Sequence, residues 1–125
     1  MNNETLLLRQ VNPAFIHNGR VSSQVFRPTP KDQNLLSVYD GDQISPEDAH
    51  AHYTEIKRCK SVGVLGVTIN ECYDLELEAR PDPAPFPEHA IIDFSAHTRK
   101  AVESKAKILR NWAVERDWCF QDTGT

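Results

Sequence analysis

Hydrophobic positions in this chain come in short β-favouring runs, broken by turns, and change to a long helical repeat only near the end. Leu6-Leu-Leu-Arg-Gln-Val11 predicts a first strand, stopped by Asn12-Pro13. Asn18-Gly19 is a turn signal, and Arg20–Phe26 predicts a short strand with Val21, Ser23 and Val25 on one face. A polar loop containing Pro28 and Pro30 leads into Leu35–Tyr39, a further strand closed by Asp40-Gly41-Asp42. Val62–Ile69 is apolar on both faces, as a central strand is, and Gly63 and Gly66 leave room for a neighbour to approach closely. Ala90–Phe94 predicts the last strand.

Two helices stand out between and after these runs. Ser45 can cap, Pro46 suits the first helical position, and Glu47 and Asp48 favour the positive end of the dipole, so a helix is expected over about 45–60. The second, over about 96–116, repeats apolar pairs at Ala101/Val102, Ile108/Leu109 and Trp112/Ala113. A short helical turn is expected over 70–77, and Trp118-Cys-Phe120 as a last packed segment. The fold class is therefore α+β, one domain over 1–120 with a mixed or antiparallel sheet of four to six short strands, followed by a disordered tail over 121–125. Its expected core is Leu7, Val11, Phe26, Leu36, Val64, Val67, Ile91, Phe94, Val102, Leu109 and Trp112.

One stretch fits neither pattern. Four of the eight prolines occupy alternate positions from Pro81 to Pro87. Each fixes its own φ and drives the residue before it towards extended geometry, so the segment is a stiff arm delivering Glu88 and His89 to the last strand.

Composition narrows the setting. The 125 residues are 39% hydrophobic and 26% charged, with no apolar run of membrane length and no signal-peptide pattern at the start. Cys59, Cys72 and Cys119 match neither a disulfide framework nor a zinc motif, which points to a reducing, cytoplasmic home. The net charge of −4 is uneven: Arg99–Arg116 carries +4, leaving −8 elsewhere. That balance argues against nucleic acid and for a protein partner, with Arg99, Lys100, Lys107 and Arg110 as its candidate contacts.

The remaining chemistry is sparse. His50 and His52 diverge by roughly 200° on a helix, so they read as exposed helix histidines and no metal site is assigned. Asp40-Gly41-Asp42 lacks the ligands of a calcium loop and reads as a turn. Cys72 reads as a packed core cysteine, with a thiol activated at a helix start as the alternative. His89 reads as a histidine hydrogen-bonded at a strand start, with an acid–base group as the alternative, for which Asp93, on the same strand face, is better placed than Glu88 to orient it. No nucleophile elbow or phosphate-binding glycine loop appears, so no catalytic residue and no cofactor are assigned.

The strings Leu7-Leu-Arg-Gln-Val-Asn-Pro13, Gly19-Arg-Val-Ser-Ser-Gln-Val-Phe-Arg-Pro-Thr-Pro30, Leu36-Ser-Val38 and Pro87-Glu-His-Ala90 resemble a family of small bacterial proteins across most of the chain. The resemblance implies a compact bacterial domain whose recurring polar positions are Arg9, Ser22, Ser23 and His89, and it implies no activity. Arg9, Pro13, Gly19 and Arg20 are also similar in order to the RES-type relatives of ADP-ribosyltransferases, which implies NAD handling by Arg9 and Ser23, with no counterpart for the family's glutamate. Two functions follow as expectations. One is a binding or accessory protein acting through a macromolecular partner, for example in toxin control or phage defence. The other is an enzyme or sensor holding an anionic or nucleotide ligand, such as NAD, through Arg9, Ser23 and His89.

Overall fold

Leu6–Gln10 forms β1, whose alternate residues face opposite ways: Leu7 enters one apolar cluster and Leu8 another. In the computed structural model, which describes residues 1–123, β1 lies inside a six-stranded sheet. Ile16–His17 (β2) and Arg20–Val21 (β3) form a separate hairpin. The large sheet continues with Leu35–Asp40 (β4), Gly63–Thr68 (β5), Glu78–Pro81 (β6), His89–Asp93 (β7) and Phe120–Gln121 (β8). Its order is β6-β7-β4-β1-β5-β8, and every neighbouring pair is antiparallel.

Helix α3, Arg99–Arg116, covers one face. Thr98 caps it by accepting from the Ala101 amide, and Val102, Ala106, Leu109 and Ala113 point inward at intervals of three and four. They pack on Leu7, Leu36, Val38, Leu65, Val67 and Ile92. All of the expected core residues are buried except Trp112, which is partly buried against the same cluster.

The opposite face is covered by less. Helix α1, Pro46–Ala51, is capped by Ser45, whose Oγ accepts from the Asp48 amide at 3.1 Å. It widens into a π-helical turn over His52–Ile56, so the regular helix expected to about residue 60 ends early, and Ile56 is 71% exposed. The proline arm lays Phe86 beside it, against Tyr39 and His52 at ring separations of 5.1 and 4.6 Å.

The strand expected over 20–26 stops at Val21, and Ser23–Phe26 is a 3-10 turn instead. Adjacent Val25 and Phe26 are both fully buried, which a period-two strand with one open face cannot do. The hairpin before it is a two-residue loop with Asn18 (φ 53) and Gly19 (φ 77) both left-handed, the conformation that Asn-Gly favours. Ile69–Asp74 (α2) opens on a complete capping box between Thr68 and Glu71. Strand β6 was not expected; its Glu78, Arg80 and Pro81 are residues that blunt a sheet edge. Gly63 is where a neighbour comes close: a Cβ there would meet the Phe120 carbonyl at 2.6 Å and the Trp118 ring at 2.9 Å. Strand β8 carries regular structure to Gln121, inside the expected tail; residues 124 and 125 lie outside the described residues.

Candidate functional site

Arg9 sits where β1 and β4 part. The two strands pair only at Leu7↔Asp40 and Leu8↔Tyr39. Beyond that point the Arg9 guanidinium takes over, donating from Nη1 to the Ser37 carbonyl at 3.0 Å and from Nε to the Val25 carbonyl at 2.7 Å. By strand alternation Arg9 belongs to the α3 face with Leu7 and Val11. Burial lowers its pKa, but a guanidinium remains charged. Among the described residues no carboxylate forms an ion pair with it. Two carbonyl dipoles offset part of the cost of partly burying this cation, and an anion would offset more.

There is room for one. Arg9 lines a cavity of about 350 Å³ together with Phe15, Gln24, Arg27 and Thr29. Pro28 and Pro30 stiffen the wall that carries Arg27. On the far side of these prolines a second cavity of about 360 Å³ is shared by Arg27, Arg99 and Val102. Glu103 pairs with Arg27 and lies 3.6 Å from Arg99, so one carboxylate serves two guanidiniums and the group as a whole stays positive. The arrangement is an arginine-lined recess with an apolar wall, suited to an anionic head on an apolar or planar body.

Of the residues singled out in the sequence, the first cavity contains Arg9 and the second, separate one Arg99. Arg27 was missed, although an arginine directly before Pro28, in a loop with a second proline, was the available signal. Ser22 and Ser23 line neither cavity: Ser22 Oγ donates to Gln24 Oε1 at 3.4 Å, and Ser23 opens the 3-10 turn. His89 meets a different cavity, on the α1 face, so Arg9, Ser23 and His89 are not brought together in one cleft. Arg9 and His89 do share a neighbour, since Arg9 takes the Ser37 carbonyl and His89 the Ser37 hydroxyl.

The α3 cations also separate. Lys100 and Lys107 are exposed, whereas Arg110 donates to the Val21 carbonyl at 3.0 Å and to Asn111 at 2.7 Å. Arg116 turns back to Glu71 at 3.0 Å and to the Gly66 carbonyl at 2.8 Å, tying the helix end to the acidic segment and the sheet.

Several other expectations change. His50 is buried, not exposed; its Nε2 lies 3.0 Å from the Ser61 carbonyl and its ring packs on Phe120. His52 turns away to Tyr39, with Nδ1 2.8 Å from the phenol oxygen. Cys72 does not change: as its packed-core reading expects, it is fully buried, and burial, aided by Glu71, pushes its thiol up to about 12. Asp93 is not the carboxylate beside His89: burial would raise its pKa, but hydrogen bonds from Ser95 and the Arg80 guanidinium outweigh that and hold it low. The carboxylate at His89 is Asp82, from the proline arm.

Compared with protein-family models, curated proteins and solved structures, the chain matches none. No helix among the described residues is long and apolar enough to cross a membrane.

Proposed function

We propose that the protein binds a small organic anion in the Arg9–Arg27 recess, as a ligand-binding or sensing domain. The observation that carries this reading is Arg9 itself, a partly buried guanidinium held by two backbone carbonyls, without a carboxylate counter-ion among the described residues, on the wall of a cavity of about 350 Å³. The ligand class is a carboxylate or phosphate on an apolar or planar body: Arg9 and Arg27 take the charge while Phe15 and the prolines take the body. A nucleotide belongs to this class; the pairing of Arg9 with Ser23 and His89 does not enter the site.

Calorimetric titration with inorganic phosphate, succinate, AMP and NAD tests it. At least one should bind, more weakly at higher salt, and Arg27→Ala should weaken that binding tenfold or more in a folded protein. Saturating ligand should also raise the melting temperature through mass action. If none of the four binds the native protein at millimolar concentration, the reading is wrong.

A second reading, a partner protein on α3, is favoured by a groove of about 790 Å³ between the β2–β3 hairpin and the helix. Val114, 46% exposed, and Trp118 give it an apolar floor, and Arg20, Arg110 and Glu115 line it. The two arginines outnumber the one glutamate and favour a peptide segment carrying carboxylates beside apolar residues. A random-peptide display should enrich such sequences, and Val114→Asp should abolish their binding while leaving anion titrations unchanged. No enrichment would remove this reading.

A further inference from the structure

On the open end of the α1 face, three side chains stand in a row. His89 Nδ1 lies 2.8 Å from the Asp82 carbonyl oxygen and 3.3 Å from Asp82 Oδ2, and His89 Nε2 lies 3.1 Å from Ser37 Oγ. A carbonyl oxygen can only accept, so Nδ1 carries the ring proton and donates it. In the neutral ring Nε2 is then left with its lone pair facing the Ser37 hydroxyl, the tautomer a general base requires. The Asp82 carboxylate beside Nδ1 is placed to stabilise the imidazolium once Nε2 takes a proton.

Each member is held by the fold. Ser37 and His89 come from paired strands in the register Ser37↔Ile91 and Tyr39↔His89, which puts both side chains on the same face. The Ser37 main chain is fixed from the other side by Arg9. Asp82 lies between Pro81 and Pro83, and its amide donates to the His89 carbonyl at 2.9 Å, so the stiff arm sets where its own carbonyl points. Phe86 packs edge-on against the imidazole at 5.1 Å. His89 is 7% exposed, whereas Ser37 is open to solvent. A protected base beside an accessible hydroxyl is what nucleophilic catalysis asks for.

We infer that Ser37, His89 and Asp82 form a nucleophilic centre for small carboxylic esters, separate from the anion recess. Ser37 Oγ attacks the ester carbonyl carbon as its proton passes to His89 Nε2. The carbon–oxygen bond to the alcohol then breaks, and the same proton leaves Nε2 with the departing alkoxide. Water, deprotonated by His89, displaces the acyl group from Ser37 and restores the hydroxyl. The cavity at this point, about 250 Å³, has Leu35 and Ile91 to take a short acyl chain and Lys31 to face the single negative charge of the tetrahedral intermediate. Asp32 and Asp82 on the same wall disfavour a phosphoryl group, which brings more negative charge. Ser37 and His89 are the catalytic residues; Asp82 is a positioning residue.

A fluorophosphonate probe reads this directly, because attack by Ser37 expels fluoride and leaves a stable mass on the serine. The intact protein should be labelled at Ser37 by peptide mass spectrometry, and p-nitrophenyl acetate should be turned over. Ser37→Ala should abolish both. His89→Gln should slow labelling at least a hundredfold, and Asp82→Asn should slow it about tenfold, with the dependence on pH displaced. Melting curves on each variant separate lost chemistry from lost folding; if His89→Gln does not fold, Asp82→Asn and Ser37→Ala carry the test. An unlabelled native protein at millimolar probe, labelling elsewhere than Ser37, or equal rates in a folded His89→Gln protein would each overturn the inference.

Discussion

The two faces of the sheet are built by different means. The α3 face is closed by one helix of 18 residues whose inward positions are aliphatic, and its cluster runs unbroken from Leu7 to Ala113. The α1 face is closed by six residues of helix, a π turn and a proline-stiffened arm, and its buried cluster is small: Leu8, Tyr39, Ala49 and Val64. Here the packing is aromatic and polar, with Tyr39, His52, Phe86 and His89 in ring contact and the end beyond His89 open. A face sealed by apolar contacts contributes stability, and a face sealed by hydrogen-bonded rings keeps groups able to move protons. The anion recess lies on the first face, and only where β1 and β4 part and Arg9 replaces the ladder.

The sharpest way to break this contrast is a charge in the sealed face. Leu109 is fully buried, and Leu109→Asp should cost more than the roughly 2–5 kcal/mol of a truncation to alanine. Against a total of about 5–15 kcal/mol, that should unfold the domain. A folded, soluble Leu109→Asp protein by circular dichroism would mean that α3 does not seal the core.

A smaller effect is expected from the arm. Phe86 is only partly buried, so Phe86→Ala should cost about 1–2 kcal/mol in urea unfolding, below the full value for a core aromatic. It should also loosen His89 and slow any labelling at Ser37. A loss as large as that of Leu109→Ala would make the arm part of the core and erase the distinction.

The smallest change should be a gain. Gln10 is 5% exposed, and among the described residues neither its side-chain amide nitrogen nor its oxygen has a hydrogen-bond partner. It lies opposite Val64, on the α1 face. Replacing an unsatisfied amide by an apolar side chain of similar shape removes its desolvation penalty, so Gln10→Met should raise stability by about 1 kcal/mol. An unchanged or lower melting temperature would show that water satisfies Gln10 in solution.

Much of the framework is legible in the pattern of residues alone. The runs at 6–11, 35–39, 62–69 and 90–94 became β1, β4, β5 and β7 within a residue or so, because alternation and β-branched content act locally. The α3 stripe was legible for the same reason. Strand β6 was not: Glu78-Ala-Arg-Pro81 has no apolar face, and it is a strand only because β7 offers an edge. The 3-10 turn at Ser23–Phe26 was hidden because Val21, Ser23 and Val25 alternate like a strand, while packing under α3 requires Val25 and Phe26 together.

The candidate sites divide in the same way. The sequence by itself marked His89 and the stiffness of the arm between Pro81 and Pro87, since residue chemistry and the φ of proline are local properties, whereas Arg9 stood out only through a resemblance. It could not tell that Asp82, seven positions before His89, folds back onto its ring, or that Ser37, 52 positions away, lies beneath it. Nor could it tell that Arg9 would be joined by Arg27 rather than Ser23. Those partnerships depend on strand register and on where β1 and β4 separate, which are set by the packing of the whole sheet between its two unequal covers.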